Sequence, residues 1–192
     1  YNTESTDVDT LLNTRRPNVL IVIMEGCGGE FTELGNHPEA MPNLNRMANE
    51  GVYFTNCYGN SYRTDRGTVS ILSGYPSFPT ISVMKIPSKS RTLPSIARCL
   101  TKEGYATDFL YGGDIDFTNM RSYLLSTGYQ HIFSKENYTA AEQKTSKWGV
   151  RDEITFETLY NNIIHRKNTP WLSTFLTLSS HEPWVVPIHR FS

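Results

Sequence analysis

Apolar residues in this chain come in short blocks separated by polar, glycine- and proline-bearing stretches, and the period of the blocks alternates between strand and helix. Residues 18–24 (NVLIVIM) form a continuous β-branched run, the pattern of a strand covered on both faces in a parallel sheet. Residues 41–51 carry Pro42 near the start and Gly51 just past the end, with Leu44, Met47 and Ala48 on one helical face, which predicts a helix burying that stripe. Residues 52–58 (VYFTNCY) alternate as a second strand. An apolar helical segment follows, opened by the cap residues Thr64 and Asp65 and stopped by Gly74 and Pro76. Strand, helix, strand, helix is the order of an α/β fold.

The rest of the chain continues in kind. Pro76, Pro79 and Pro87 mark residues 76–90 as an irregular excursion. A helix is predicted from 92 to about 104, with Leu93, Ile96, Ala97 and Leu100 on one face, then a strand over 106–111. A short helix over 117–125 carries Arg121, a short strand covers 130–133, and 134–147 is a loop with a helical turn at 140–144. Phe156, Leu159, Tyr160, Ile163 and Ile164 give 152–166 an amphipathic helical spacing. Its acidic first turn, Asp152 and Glu153, and its basic end, His165, Arg166 and Lys167, suit the helix dipole, so these charges are assigned a structural role. Residues 171–178 form the last strand. The polar start, rich in Thr, Asn and Asp, reads as a tether over 1–16, leaving one domain over 17–192.

Composition narrows the function classes. The 192 residues suffice for one domain with a real core, and 18 basic against 19 acidic residues give a net charge of -1, which argues against a general nucleic-acid surface. The longest apolar run, Val19 to Met24, falls far short of the roughly 20 residues a spanning helix requires. No basic start precedes an apolar signal core, so an export signal or membrane anchor is expected before Tyr1 if anywhere. Cys27, Cys57 and Cys99 are scattered without a CxxC pair, which argues against a zinc ribbon or disulfide scaffold. One disulfide plus a free thiol stays open, and buried apolar thiols are the expectation.

Candidate chemistry gathers at the ends of the predicted strands, the edge where open α/β sheets bind ligands. Glu25 follows the first strand, as a metal ligand or a solvated loop carboxylate. Thr64 places a hydroxyl where a helix N-terminus offers unpaired N–H groups to an oxyanion, as a nucleophile or only a cap. Asp114 follows the 106–111 strand, with Arg121 close behind, and His181 follows the last strand, functional or a satisfied loop residue. A carboxylate and a hydroxyl suit a hard divalent ion, and Arg and His suit a phosphate. Gly26, Gly28 and Gly29 do not make a dinucleotide loop.

In order, NVLIVIMEG, MPNLNRMANEGVYFTNCY, SYRTDRGTVSILSGYP, FLYGGDIDFTNMRSYL, WGVRDE and TLSSHEPW resemble the sulfatase/alkaline phosphatase superfamily, and within it the lipoteichoic acid synthase branch of phosphoglycerol transferases. The resemblance implies an alkaline phosphatase-like three-layer sandwich with a mostly parallel central sheet, C-terminally truncated here. It implies Glu25 and Thr64 as ligands of one divalent metal, manganese or magnesium rather than zinc or calcium, with Thr64 as the nucleophile. It implies Asp114, Arg121 and His181 as substrate-binding groups, and a phospholipid or cell-envelope glycan phosphodiester as substrate. It also implies an extracytoplasmic location for a membrane-anchored parent protein. Asn119 stands where the Gram-positive synthases use a tryptophan on the substrate. Thr64 sits in RTDRG rather than the CxPxR of formylglycine sulfatases, so sulfate-ester hydrolysis by that route is not expected.

The branch completes its metal site with an Asp-His pair, and no Asp-His dipeptide occurs in these 192 residues. The chain alone is therefore expected to bind metal weakly and to be inactive or nearly so. A noncatalytic anion-binding fragment and a sulfuric ester hydrolase are the alternatives, and an uncovered apolar sheet face leaves room for self-association.

Overall fold

A computed structural model describes residues 12–167 and 170–184. Among these residues four parallel strands form one sheet: β1 (Val19–Ile23), β2 (Ala106–Tyr111), β3 (His131–Phe133) and β4 (Trp171–Leu176), in the order β1-β4-β2-β3. β4 lies between β1 and β2, pairing Val19 with Leu172 on one side and Ala106 with Trp171 on the other. The helices are α1 (Pro42–Glu50), α2 (Thr64–Ser73), the single turn α3 (Pro87–Ser90), α4 (Ile96–Lys102), α5 (Met120–Ser126) and α6 (Asp152–Ile164).

Strand alternation divides the core between the two faces. On one face Leu172 and Leu176 of β4 and Phe109 of β2 meet Val69 and Leu72 of α2, Ala97 of α4, and Tyr123 and Leu124 of α5. On the other, Leu110 and Phe175 pack against Leu159 of α6. Helices therefore cover both faces of a parallel sheet, the architecture expected from the strand and helix order.

The covering is uneven, and β1 departs from its predicted burial on both faces. Val19, Ile21 and Ile23 pack on the main core, but Leu20 and Val22 remain 46% and 38% exposed. β1 is one of the two edge strands of the described sheet, and α6 packs on β2 and β4 rather than reaching it. The predicted strand over 52–58 does not form. Its alternation is real, but no partner strand stands beside it among the described residues, and Phe54 is 72% exposed. Met47, expected in the buried stripe of α1, is 61% exposed; the one buried residue of that helix is Asn45, whose side chain donates to the Pro38 carbonyl and accepts the Glu33 N–H. On α6, Tyr160 and Ile164 are exposed, and Phe156 is only part covered, its ring edge-on to buried Phe175 with centres 4.5 Å apart.

Helix 92–104 starts later than its pattern suggests. Ser95 caps α4: its Oγ accepts the Arg98 N–H at 3.0 Å and donates to the carbonyl of Thr127. Arg98 in turn donates to the carbonyls of Leu93, Arg91 and Ser126, tying α4 to the end of α5. Ser95 is buried, so Ser95→Ala leaves both partners unpaired, and a loss of about 1–2 kcal/mol is expected in urea unfolding.

The tether expected over 1–16 falls largely on residues 1–11, outside the described residues. Arg16 is tied down: it donates to the Glu103 carbonyl and lies 5.7 Å from the centre of the Tyr105 ring. No disulfide forms; Cys57 and Cys99 are exposed and Cys27 is half-buried, so buried thiols are not what the fold provides. No helix among the described residues is long and apolar enough to cross a membrane.

Candidate active site

The C-terminal ends of β1 and β4 are adjacent because the strands pair in parallel, and their loops meet directly beyond the sheet. Gly26, in the turn after β1, has φ +68°, and a Cβ there would stand 2.7 Å from the Ser180 carbonyl oxygen. Only glycine gives the turn its backbone conformation and lets the two loops approach so closely. The Glu25 N–H donates to Thr177 Oγ1 at 2.8 Å, which fixes the carboxylate-bearing residue to the end of β4.

Thr64 opens α2 but does not cap it. Arg63 occupies the N-cap position, with no side-chain cap bond, and Thr64 is the first helical residue. The expected cap role is thereby corrected: the Thr64 hydroxyl is directed out of the helix and donates to Glu25 Oε1. The other oxygen, Glu25 Oε2, is buried without a hydrogen-bond partner. Burial pushes the Glu25 carboxyl above its ordinary range, the Thr64 bond and nearby His181 pull it back, and Asp152 adds to the rise.

A carboxyl raised in the folded state binds its proton more tightly there than in the unfolded chain. Its charge therefore destabilises the fold as pH climbs from the ordinary value of 4.5 through the raised one. In metal-free buffer, Glu25→Gln is expected to melt on the order of 2 °C above the native chain at pH 7 and level with it at pH 4, followed by circular dichroism. A variant that melts lower at pH 7 would contradict this.

Around this pair lies a cavity of about 510 Å³ whose lining includes Arg63, Tyr111, Phe117, Trp148 and His181. A second, of about 600 Å³, opens on the other side of the same pair, toward Met24, Cys27 and Cys57. His181 thus joins Glu25 and Thr64, as the sequence suggests. Its Nδ1 lies 2.8 Å from the Glu182 carbonyl, and its ring stands edge-on to Trp148 with centres 4.9 Å apart.

Asp114 and Arg121 lie elsewhere, in an adjoining cleft of about 180 Å³ with Asp116 and Glu136. Arg121 donates twice to Asp116, at 2.8 and 3.0 Å, and once to Glu136 at 2.6 Å, so two carboxylates already hold its guanidinium. Asp114 Oδ1 accepts the Asp116 N–H at 2.9 Å. Phe117 and Thr118, from the turn between them, line the main cavity instead.

Sequence reasoning passed over Arg63, Tyr111 and Trp148. Trp148 offered a signal, a lone tryptophan in a polar loop, whereas Tyr111 at a strand end is indistinguishable from core in one dimension. Burial raises the Tyr111 hydroxyl, and Glu25, Asp114 and Asp152 nearby add to that. The phenol is therefore a neutral donor in the cavity wall.

As a cation site the donors fit in kind. Glu25 supplies a buried oxygen with no partner beside a hydroxyl, the hard oxygen donors that a divalent ion such as magnesium or manganese takes. They do not suffice in number: among the described residues no group of three or more His, Cys, Asp or Glu could hold a metal ion.

Residues 17–188 match the family model described as Sulfatase. Phosphoglycerol transferase I of Xanthomonas campestris pv. campestris is 24% identical over 181 residues, covering 88% of this chain and 26% of that protein. Phosphoglycerol transferase I of Escherichia coli is 25% identical over 180 residues, covering 87% and 24%. The chain thus spans about a quarter of the length of the curated relatives it matches. Among solved structures, a protein in the alkaline phosphatase superfamily from Vibrio parahaemolyticus superposes with a TM-score of 0.82 at 31% identity, over 91% of this chain and 43% of that one. The lipoteichoic acid synthase LtaP from Listeria monocytogenes gives 0.77 at 18% identity, over 92% and 44%, a likeness of fold.

Proposed function

This chain belongs to the Sulfatase family, and we propose that residues 17–192 are the N-terminal part of the catalytic domain of a metal-dependent phosphoryl-group transferase or phosphodiesterase using Thr64 as nucleophile. One observation carries the reading. The hydroxyl at the start of α2 is not spent on capping but hydrogen-bonds the carboxylate of Glu25, whose second oxygen is buried and unpaired. The relatives named Phosphoglycerol transferase I favour a phosphodiester over a sulfate ester, as does a threonine in place of a formylglycine precursor.

A divalent cation held by Glu25 and Thr64 would supply Lewis acidity that favours the ionised hydroxyl and neutralises charge on the phosphate. The chain's own groups do the rest. Thr64 Oγ1 attacks phosphorus in line as its proton passes to Glu25 Oε1, and the P–O bond to the leaving group breaks, the leaving oxygen taking up a proton from solvent to depart as the alcohol. The N-terminus of α2, Arg63 and His181 orient the nonbridging oxygens. The phosphothreonine then passes its group to an acceptor alcohol or to water. Asp114 and Arg121, in the adjoining cleft, are assigned to the head group beyond the phosphate. The substrate is a phospholipid or envelope-glycan phosphodiester, which places the active protein outside the cytoplasm.

The full-length protein is expected to release p-nitrophenol from bis(p-nitrophenyl) phosphate with manganese or magnesium and not from p-nitrophenyl sulfate. No release with any divalent cation would overturn the reading in favour of a noncatalytic anion-binding domain.

A further inference from the structure

β4 ends at Leu176, and the sheet still holds Thr177, whose N–H donates to the Ile23 carbonyl of β1 at 3.0 Å; beyond it the chain runs irregularly to His181. The first turn of α6 fixes the start of that stretch. The Leu178 N–H donates to Asp152 Oδ1 at 2.7 Å and the Ser179 N–H to Asp152 Oδ2 at 2.8 Å, while the Asp152 N–H donates to Ser179 Oγ at 2.8 Å. Three hydrogen bonds thus join one residue to a dipeptide 26 and 27 positions away. A carboxylate serving only its own helix would cap that helix's N–H groups or face water. Asp152 gives both oxygens to another segment, and burial raises its carboxyl despite those bonds.

The segment before Asp152 is itself anchored. Val150 is fully buried and its N–H donates to the Gly112 carbonyl at 2.9 Å, at the end of β2. Gly149, at φ +154°, packs so closely that a Cβ would lie 2.2 Å from the Gly112 oxygen. From this anchored strap Trp148 donates its Nε1–H to the Glu182 carbonyl at 2.6 Å and sets its ring edge-on to His181. The loop of His181 is thus bracketed, by Asp152 on the β4 side and by Trp148 on the far side.

We infer that Asp152 is a positioning residue: it holds the Leu178–Ser179 turn so that His181 stands against Trp148 and faces Glu25 and Thr64. Its importance to catalysis rests on the proposed function, but the bracket is a property of the chain and is tested without turnover.

The test is NMR of the isotopically labelled chain carrying Asp152→Ala or Asp152→Asn. With alanine, the His181 imidazole C–H signals should leave the positions set by the Trp148 ring and approach those of exposed His37. Amide exchange at Leu178 and Ser179 should quicken on the order of tenfold while Phe175 and Leu176 keep their protection. Asparagine keeps one acceptor oxygen, so only one of the two amides should quicken. It decides the matter alone if the alanine variant does not fold. Unmoved His181 signals, or exchange that quickens equally along β4, would make Asp152 a general stabilising residue and overturn the inference. Inorganic phosphate added to the native chain separates the two ideas. A His181 signal indifferent to phosphate at millimolar concentration would weaken the proposed function and leave the bracket standing.

Discussion

Thr64→Ala in the full-length protein is expected to lower phosphodiester turnover at least about a thousandfold, with KM little changed. The substitution deletes the attacking oxygen and leaves the groups assigned to orient the phosphate, so the loss should fall on kcat. Thr64→Ser keeps the oxygen and drops a methyl group, and should retain activity within roughly a factor of ten to a hundred. The two variants therefore separate the hydroxyl from the shape of the side chain. Neither should unfold the protein, because Thr64 makes no cap bond. The alanine variant does leave Glu25 Oε1 without its donor, which pushes that carboxyl still higher and costs about 1 kcal/mol. A Thr64→Ala protein that turns over a phosphodiester at half the native rate would remove Thr64 from the chemistry. A phosphoryl adduct that maps to Thr64 in the native protein and disappears in the alanine variant would support the two-step route.

What could be read in advance follows the range of the interaction concerned. β1 was legible from its β-branched apolar run, and the strand predicted over 106–111 matches β2 residue for residue. Glu25 and His181 were legible together because parallel strands deliver their C-terminal ends to one edge, whereas Thr64, read with them and with Asp114 and Arg121, reaches that edge on α2 and not on a strand. Features set by distant partners were not. The alternation of 52–58 is a strand only where a neighbour supplies hydrogen bonds, and none stands there among the described residues. Thr64 is a good cap by type, yet one residue of difference in where helical φ and ψ begin gives the cap position to Arg63 and frees the hydroxyl. The acidic first turn of α6 looks sufficient to explain itself through the helix dipole. Only the fold brings Leu178 and Ser179 to Asp152, so a local rule assigned the right place and the wrong partner. Asp114 and Arg121 stand close in sequence to Phe117 and Thr118, but the turn between them divides the four residues between two cavities.

The same limit hid the strongest structural prediction. Asp108 reads as one polar residue inside the strand ATDFLY, yet it is buried, accepts the Ser173 hydroxyl at 2.7 Å and forms an ion pair with Arg166. Arg166 had been credited only with suiting the C-terminus of α6; its guanidinium also lies 5.2 Å from the centre of the Trp171 ring. The pair joins β2, β4 and the end of α6 on the face where the second core cluster is small, so few apolar contacts back it up. Asp108→Ala removes the acceptor from a largely buried cation and an adjacent hydroxyl. A loss of about 3 kcal/mol is expected, the low end for breaking a buried pair, because the long Arg166 side chain can swing toward water. For a chain of this size that lowers the melting temperature by about 6–12 °C. Asp108→Asn keeps an acceptor for Ser173 and should lose about half as much. Asp108→Leu, which replaces the charge with apolar volume, should recover part of the loss only when combined with Arg166→Met, since a lone leucine leaves the guanidinium without its partner. Urea unfolding of these variants in a double-mutant cycle measures the coupling between Asp108 and Arg166. A coupling below about 0.5 kcal/mol would reduce the pair to an exposed-type contact and leave α6 held by Leu159 and its neighbours alone.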